Sequence, residues 1–431
     1  MPDHATSSSP AVQHQLDRLW ALGTGGDTLG LERIATLLDR LGRPQDRLPP
    51  VFHIAGTNGK GSTAAVLRAA LEADGRRAHV YTSPHLVRFN ERIRLAGRLV
   101  EDDTLADALA RVLDRADGLS PSFFEATTAA AFLLFSEVPA DATVLEVGLG
   151  GRLDATNVVA DPAACGIAAL GLDHQGFLGD ELTGIAAEKA GIARTGRPLL
   201  TLAYPPEVTA AVERVAGSAG ARLVVEGRDW SVVADADGLD YRDVRGPLRL
   251  HAPALAGAHQ ARNAGLAVAM LRHQDRIAVA DEAFRSAPAL ARWPARLQRL
   301  PAGPLVERLG GDVWLDGGHN PDAAGAIATW LSGRPPVTLI LGLLANKDAA
   351  GVLTPLAPHL ESLVSLPIAG HDSHPPEKLA RLARSLGVAA RTAPGLDAAI
   401  ERAGARTRPV LIAGSLYLAG NVLRANGTPP D

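Results

Sequence analysis

A glycine-rich segment, Gly56-Thr57-Asn58-Gly59-Lys60-Gly61-Ser62, is the strongest sign of chemistry in the chain. It follows an apolar run and precedes residues with apolar positions at helical spacing. Glycines there let backbone N–H groups converge on phosphate oxygens, and a helix N-terminus adds a favourable dipole. Lys60 can neutralise phosphate charge, and Ser62 can bond a phosphate oxygen or help to hold Mg²⁺. The segment is not a strict G-x-x-x-x-G-K-[ST] match, and the alternative is an ordinary strand-to-helix turn.

Two more polar residues stand at the ends of apolar runs. Glu146 ends one such run, where a Mg²⁺ ligand of a phosphate-binding sheet belongs. His174 follows another, and its neutral imidazole could coordinate a metal. Since ligands bind at the carboxyl ends of strands in open α/β sheets, we expect Lys60, Glu146 and His174 to lie together. Taken singly, Glu146 could cap a helix and His174 could be structural.

Later segments offer further charged groups. Lys189 lies on or near a helix beside Glu188, and a solvated Glu–Lys pair is the alternative there. Arg296 could stabilise a transferring phosphate, and Asp316 could bond ribose hydroxyls. The alternative for Asp316 is an ordinary turn at the end of a strand, with Asn320-Pro321 opening a helix. Phosphate-directed groups in two parts of the chain predict a cleft that closes over ATP.

Short apolar runs alternate with helical patterns in the part of the chain that carries these residues. Continuous apolar runs suit parallel strands covered on both faces. A helix is predicted over 60–73, and the first fifteen residues are expected to be loose. Residues 223–250 predict a small antiparallel hairpin. Strands are predicted at 51–55, 79–82, 143–147 and 167–171.

A second domain is predicted because 431 residues exceed what one hydrophobic core organises. The boundary is placed at Arg292-Trp293-Pro294, which gives domains over 1–293 and 294–431. Strands of the second domain are predicted at 313–316, 337–344, 362–367 and 410–413.

Composition excludes several classes of partner. Lys and Arg number 43 against 47 Asp and Glu, so no large basic field exists for nucleic acid or an anionic membrane. The single cysteine, Cys165, rules out an internal disulfide. The N-terminus lacks the apolar core of a signal peptide, and no apolar run approaches the roughly 18 residues of a spanning helix. We therefore expect a cytoplasmic protein.

Taken in order, these motifs resemble the folylpolyglutamate synthase/dihydrofolate synthase family, within the wider group of Mur-type ligases. The run Gly-Leu-Gly-Gly-Arg-Leu-Asp-Ala-Thr-Asn at 148–157 is the most specific of them. The matching segments span nearly the whole chain: 28–33, 56–62, 82–86, 90–93, 123–125, 146–157, 172–174, 188–192, 316–321, 346–348 and 414–417.

The resemblance implies an α/β fold, with a P-loop-type, mostly parallel sheet domain and a smaller Rossmann-like C-terminal domain. It implies an ATP-dependent ligase that adds L-glutamate to dihydropteroate or tetrahydrofolate through an acyl phosphate. Intact pterin-side segments favour an enzyme with both activities. A monomer is expected.

The resemblance also implies residue roles. Ser83, Glu146 and His174 match Mg²⁺ ligands, with two ions expected, and Lys189 matches a lysine that is carbamylated (N6-carboxylated). Lys60, Lys189 and His319 are the candidate catalytic residues, His319 as a group that positions phosphate or glutamate. Candidate nucleotide contacts are Gly56, Thr57, Asn58, Gly59, Lys60, Gly61, Ser62, Asn263, Arg296 and Asp316. Candidate pterin-side contacts are Thr28, Leu29, Gly30, Ser122, Phe123, Phe124, Glu125, Leu153, Asp154 and Ala155.

Two other functions compete with this one. The first is a Mur-type ligase that acts on a cell-wall nucleotide precursor; Phe123 and Phe124 instead favour a flat heterocycle. The second is a non-catalytic nucleotide-dependent switch, which does not need the paired Glu146 and His174.

Overall fold

The computed structural model describes residues 5–22, 29–404 and 408–431. They form two compact units. The first contains the described residues up to Ala254, together with Ala261–Arg292 and Asp431. The second contains Leu255–Gln260 and Trp293–Pro430. No helix within the described ranges is long and apolar enough to cross a membrane.

An eight-stranded sheet organises the first unit. The strands run in the order β4-β3-β2-β5-β1-β6-β7-β8, and all neighbours from β2 to β8 pair in parallel. The short β3 and β4 add antiparallel pairs at one edge. Their bounds are β1 (Val51–Ala55), β2 (Ala78–Tyr81), β3 (Ile93–Leu95), β4 (Arg98–Leu99), β5 (Ala142–Glu146), β6 (Ala164–Ile167), β7 (Pro198–Thr201) and β8 (Arg222–Val225).

Helices cover this sheet, and a separate antiparallel sheet of three strands follows it. The three strands are β9 (Trp230–Ala234), β10 (Gly238–Asp243) and β11 (Gly246–His251). The helices up to Arg292 are α1 (Pro10–Ala21), α2 (Glu32–Arg40), α3 (Lys60–Ala73), α4 (Asp102–Leu113), α5 (Phe123–Glu137), α6 (Gln175–Leu178), α7 (Leu182–Ala190), α8 (Pro206–Ala219), α9 (His259–Arg272) and α10 (Asp281–Leu290).

The second unit has a six-stranded sheet in the order β12-β13-β17-β14-β15-β16, parallel except for β12. Its strands are β12 (Gln298–Arg299), β13 (Val313–Leu315), β14 (Val337–Leu341), β15 (Leu360–Ser365), β16 (Ala389–Thr392) and β17 (Val410–Ala413). Its helices are α11 (Pro304–Leu309), α12 (Pro321–Leu331), α13 (Ala349–Leu356), α14 (Pro376–Ser385), α15 (Leu396–Ala403) and α16 (Leu416–Ala425). The predicted α/β fold class, with a larger parallel-sheet part and a smaller Rossmann-like part, is confirmed.

The strand β1 lies in the interior of the first sheet, and every one of its residues is buried. It lies between β5 and β6, with Val51 opposite Thr143 on one side and Phe52 opposite Ala164 on the other. The chain therefore leaves β1 toward one side of the sheet and later returns to its other side. Such a switch point opens a crevice at the carboxyl ends of the strands.

Several predicted bounds were wrong. The strand predicted at 167–171 is Ala164–Ile167, and the residues after it run along the glycine-rich segment instead. Residues 223–225 belong to β8 of the parallel sheet, so the antiparallel sheet begins only at Trp230. The first fifteen residues were expected to be loose, yet α1 begins at Pro10, where the Ser9 side chain accepts a hydrogen bond from Val12 N.

A buried ion pair joins the three-stranded sheet to α9. Arg272 donates from Nε and Nη2 to the two carboxylate oxygens of Asp243, at 2.8 and 2.9 Å. The two side chains are 3% and 0% exposed. The Arg272 guanidinium also lies over the rings of Tyr241 and Phe284. Removing Arg272 would leave the buried Asp243 carboxylate without its guanidinium partner.

We expect Arg272→Met to lower the free energy of unfolding by about 3–5 kcal/mol, measured by urea denaturation. The matched control is Arg111→Met. It breaks a bidentate pair with Glu137 whose side chains are about two-fifths exposed, where about 0–1 kcal/mol is expected. Equal losses for the two variants would show that burial of the Asp243 charge does not matter.

Candidate active site

The glycine-rich segment forms the turn between β1 and α3. Gly59 has φ of 86° and directly precedes the helix, which begins at Lys60. The first-turn amide groups of a helix have no acceptor within the helix, and they point toward its N-terminal end. Gly61 and Ser62 are buried in this first turn. The turn therefore has the geometry of an anion site at a helix N-terminus.

The residues that follow β6 hold this turn in place. The amides of Thr57 and Asn58 both donate to the carbonyl of Ala169, at 2.8 and 3.1 Å. The Thr57 hydroxyl donates to Gly171 O at 3.0 Å and accepts from Gly171 N at 3.1 Å. These bonds use the amides of Thr57 and Asn58 inside the protein. The amides that can face a phosphate are thus those at the start of α3.

Close packing explains two of the glycines. A Cβ at Gly56 would lie 2.9 Å from Ala168 Cβ, and one at Gly59 would lie 2.5 Å from Asn263 Oδ1. Both glycines also have positive φ, which disfavours any side chain. Asn263, predicted as a nucleotide contact, is only 3% exposed and borders the turn.

Two lysines donate to one carbonyl oxygen. Lys60 Nζ and Lys189 Nζ each lie 3.1 Å from Gly56 O. Burial and the neighbouring Lys60 charge lower the pKa of Lys189 to about 7. Near neutral pH a large share of Lys189 is therefore the uncharged amine, which relieves the repulsion between the two groups.

Glu146 faces the same turn from the end of β5. Its Oε1 lies 3.9 Å from Lys60 Nζ, and its Oε2 accepts a hydrogen bond from Ser83 N at 3.4 Å. The Glu146 side chain is 7% exposed. Four of the predicted residues, Lys60, Ser83, Glu146 and Lys189, thus gather around the end of β1.

His174 lies farther out on the surface. It adopts φ of 53° at the start of the short helix α6 and is exposed. It follows Gly171, which contacts the turn, by three residues. Within the described residues no group of three or more His, Cys, Asp or Glu side chains is arranged to hold a metal ion. The predicted Mg²⁺ ligands are two such side chains, Glu146 and His174, together with Ser83. The role of His174 as a metal ligand therefore stays a prediction.

The run at 148–157 supports the position of Lys189. A Cβ at Gly151 would lie 2.8 Å from Glu188 O and 3.0 Å from Lys189 Cα. Arg152 N donates to Glu188 O at 2.8 Å, and the Arg152 guanidinium pairs with the Glu188 carboxylate at 2.8 Å. The glycine thus lets the run lie directly against α7. The Glu188–Lys189 pair considered in the sequence does not form, because Glu188 pairs with Arg152 and Lys189 points inward.

Asp154, predicted as a pterin contact, is 4% exposed and bonds within its own loop. Its oxygens accept from the amides of Gly148, Leu149 and Thr156 and from the Thr156 hydroxyl. Burial raises the pKa of the Asp154 carboxyl, and these bonds oppose that shift. We conclude that its carboxylate shapes the loop that follows Glu146.

A histidine that the sequence did not indicate extends this network to β1. Since the Thr156 hydroxyl gives its proton to Asp154, it must accept from His53 Nε2, which lies 2.8 Å away. Burial, with a smaller effect of Arg194, lowers the pKa of His53 to about 3, so the ring is neutral. No local pattern could have revealed this contact between residues 103 positions apart.

Glu125 also has internal partners. It forms a capping box with Ser122, accepting from Ser122 N at 2.7 Å, and it accepts from Arg33 Nε at 3.1 Å. The two phenylalanines beside it are half-buried: Phe123 stacks on Trp20 at 5.3 Å, and Phe124 packs on Gly148. The N-terminal end of α5 therefore presents an aromatic surface close to the loop after Glu146.

The remaining pterin-side candidates that the structure describes lie on two segments. Leu29 is 37% exposed, and a Cβ at Gly30 would meet the Glu32 carboxylate. Thr28 lies outside the described residues. Leu153 is half-buried and Ala155 is buried on either side of Asp154.

Three predicted residues lie in the second unit, near the carboxyl ends of β13 and β17. Asp316 accepts from Leu297 N at 2.7 Å and from Gly318 N at 2.6 Å, which holds the Arg296 segment against β13. The residues flanking Arg296, Ala295 and Leu297, have φ of 56° and 42°. His319 Nδ1 lies 3.0 Å from Gly317 O. Their roles toward a nucleotide stay predictions.

We expect Gly59→Ala to raise the dissociation constant of a nucleotide by about tenfold or more. The new Cβ would meet Asn263, and the position has a positive φ that alanine disfavours. Calorimetric titration with ADP measures this. Gly75→Ala is the matched control, since Gly75 has φ of 74° at the other end of α3 but open space around it. Unchanged ADP binding in Gly59→Ala would contradict the assignment of the turn to phosphate.

Comparisons with known proteins agree with this geometry. A family model described as the C-terminal domain of dihydrofolate synthetase matches residues 306–425. The dihydrofolate synthase/folylpolyglutamate synthase of Escherichia coli is 33% identical over 399 residues, which cover 92% of this chain and 90% of that protein.

Solved structures are equally similar. E. coli FolC in complex with DHPP and ADP has a TM-score of 0.87 and 32% identity, covering 97% of this chain and 98% of that one. A bifunctional folylpolyglutamate synthase/dihydrofolate synthase with Mn, AMPPNP and L-glutamate bound has a TM-score of 0.84 and 31% identity, covering 98% and 99%. The chain therefore belongs to the folylpolyglutamate synthase/dihydrofolate synthase family.

Proposed function

We propose that this protein is an ATP-dependent ligase that joins L-glutamate to dihydropteroate and to reduced folates. The observation that carries the proposal is the convergence of Lys60, Glu146 and Lys189 on the glycine-rich turn. Relatives that match nearly the whole chain bear the names of both activities. ATP and a divalent metal ion are its cofactors, as the bound AMPPNP and Mn of one similar structure support.

The chemistry requires that a carboxylate be activated. A carboxylate is a poor acyl donor near pH 7, so the γ-phosphoryl group of ATP passes to one of its oxygens, giving an acyl phosphate and ADP. The amino group of L-glutamate then attacks the acyl carbon, and the tetrahedral intermediate expels inorganic phosphate. Lys60 and the first-turn amides of α3 stabilise the phosphate charge during transfer.

The residues around Glu146 fit a hard divalent cation. Ser83 and Glu146 offer oxygen ligands next to the glycine-rich turn 56–62, which we call the phosphate turn. Such ligands suit Mg²⁺, a cation that is usually bound by only one or two protein carboxylates. Ser83, Glu146 and His174 would hold the metal, and we propose two ions. Bound there, Mg²⁺ would offset the negative charge of the phosphates.

The aromatic residues at the N-terminal end of α5 support a pterin as the substrate. Phe123, Phe124 and Leu153 lie on segments whose backbones are fixed by the Glu125 and Asp154 carboxylates. Because those carboxylates are occupied by internal donors, we propose that they hold the loops around the ring. We also propose that the protein acts as a monomer in the cytoplasm.

The reaction is tested by measuring ADP release with L-glutamate, Mg²⁺ and three acceptors in parallel. We expect turnover with dihydropteroate and with tetrahydrofolate, and none with a UDP-muramoyl substrate. Glu146→Gln, which keeps the shape but not the charge, is the inactive control. Turnover with only the UDP-muramoyl substrate would indicate a cell-wall ligase, and ATP binding without turnover on any acceptor would indicate a switch.

We also propose that Lys189 is carbamylated. Its neutral amine can add CO₂ to form a carbamate with loss of one proton, which places an anion beside the Lys60 ammonium at Gly56 O. The chain has only four lysines, at 60, 189, 347 and 378.

A ¹³C NMR spectrum of the protein in ¹³C-bicarbonate should therefore contain a carbamate resonance that can be assigned. We expect it to disappear in Lys189→Met and to persist in the control Lys378→Met, which removes an exposed lysine. A spectrum without a carbamate resonance in the unaltered protein would refute the modification.

A further inference from the structure

The segment 168–171 after β6 contacts the phosphate turn on one side. Ala169 O accepts both Thr57 N and Asn58 N, and Ala168 N donates to Ala55 O at 2.8 Å. Ala168 also packs against Gly56, where no Cβ would fit. The position of the turn thus depends on the position of this short segment.

Tyr204 holds the same segment from its other side. Its hydroxyl lies 2.7 Å from Ile167 O and 2.6 Å from Ala168 O, so its single proton is shared between the two carbonyls. The neighbouring strand β7 pairs with β6 only as far as Ile167 opposite Thr201. Beyond that point the tyrosine side chain supplies the donor that a strand would otherwise supply.

Two charged residues fix the backbone beside Tyr204. Glu226 accepts from Ala203 N at 2.9 Å and pairs with Arg262 at 2.6 Å. Arg262 Nη2 in turn donates to Ala203 O at 3.0 Å. Arg262 immediately precedes Asn263, whose side chain borders Gly59. The loop that carries Tyr204 is therefore tied to the helix that borders the other end of the phosphate turn.

We propose that Tyr204 is a positioning residue of the nucleotide site: its hydroxyl holds the end of β6 against the phosphate turn. The inference rests on the proposed function, because it assigns the turn to ATP. The Tyr204 hydroxyl bonds to Ile167 O and Ala168 O, and it acts on the turn through these two residues. None of the sequence patterns indicated it.

Loss of the hydroxyl leaves these carbonyls without their side-chain donor. A typical hydrogen bond contributes about 1 kcal/mol, which corresponds to roughly a fivefold change in an equilibrium constant. The effect should fall on nucleotide affinity, since the displaced segment carries the phosphate turn. Binding of folate and L-glutamate should change little.

Tyr204→Phe tests the proposal against the matched control Tyr241→Phe. Tyr241 is a buried tyrosine of the first unit, and its hydroxyl donates to Asp243, far along the chain from the phosphate turn. Calorimetry with AMPPNP and Mg²⁺ gives the dissociation constant, and steady-state kinetics gives the KM of each substrate. Thermal unfolding without nucleotide reports the general loss of stability.

We expect both variants to unfold at lower temperature, while only Tyr204→Phe raises the dissociation constant of AMPPNP and the KM of ATP, each by about fivefold or more. An AMPPNP affinity in folded Tyr204→Phe within about twofold of the unaltered protein would overturn the proposal, and so would an equal loss in Tyr241→Phe. If Tyr204→Phe does not fold, Glu226→Gln takes its place with the same expected direction. Failure of the unaltered protein to bind AMPPNP would instead refute the proposed function.

Discussion

The carbonyl oxygen of Gly56 accepts hydrogen bonds from two lysines, and much of the site depends on this arrangement. Lys60 and Lys189 reach it from the start of α3 and the end of α7, each at 3.1 Å. Two ammonium groups at one oxygen repel each other, and burial makes that repulsion costly. The arrangement holds because Lys189 loses its proton readily, with a pKa of about 7, and because the Glu146 carboxylate lies close to Lys60.

The surrounding fold keeps these groups in place. The parallel strands β5, β1 and β6 end at the same edge of the sheet, so Glu146, the phosphate turn and the segment after Ile167 meet there. Glycines at 56, 59 and 151 permit backbone approaches that a Cβ would block. Internal carboxylates, above all Asp154, then fix the loops that leave this edge. The loop after Glu146 and the strand that leads into the glycine-rich turn thus share one buried network.

Local patterns were sufficient for the centre of this site. The bounds of β1 and α3 were predicted residue by residue, because a buried apolar run, a glycine turn and a helical repeat are all encoded locally. The end of β6 was predicted four residues too late, since Ala168–Gly171 is as apolar as a strand but pairs with a turn. Contacts between distant positions, such as His53 with Thr156, leave no local pattern. The sequence also could not show that the carboxylates of Glu125 and Asp154 accept hydrogen bonds from donors inside the protein.

We propose that these groups transfer the γ-phosphoryl group of ATP to the carboxylate of the folate precursor. Dihydropteroate labelled with ¹⁸O in its carboxylate tests it directly, by mass analysis of the inorganic phosphate formed with L-glutamate. We expect one labelled oxygen in each phosphate released, because the oxygen that bridges carbon and phosphorus in the acyl phosphate leaves with the phosphate. Unlabelled phosphate, or label found in AMP, would contradict it.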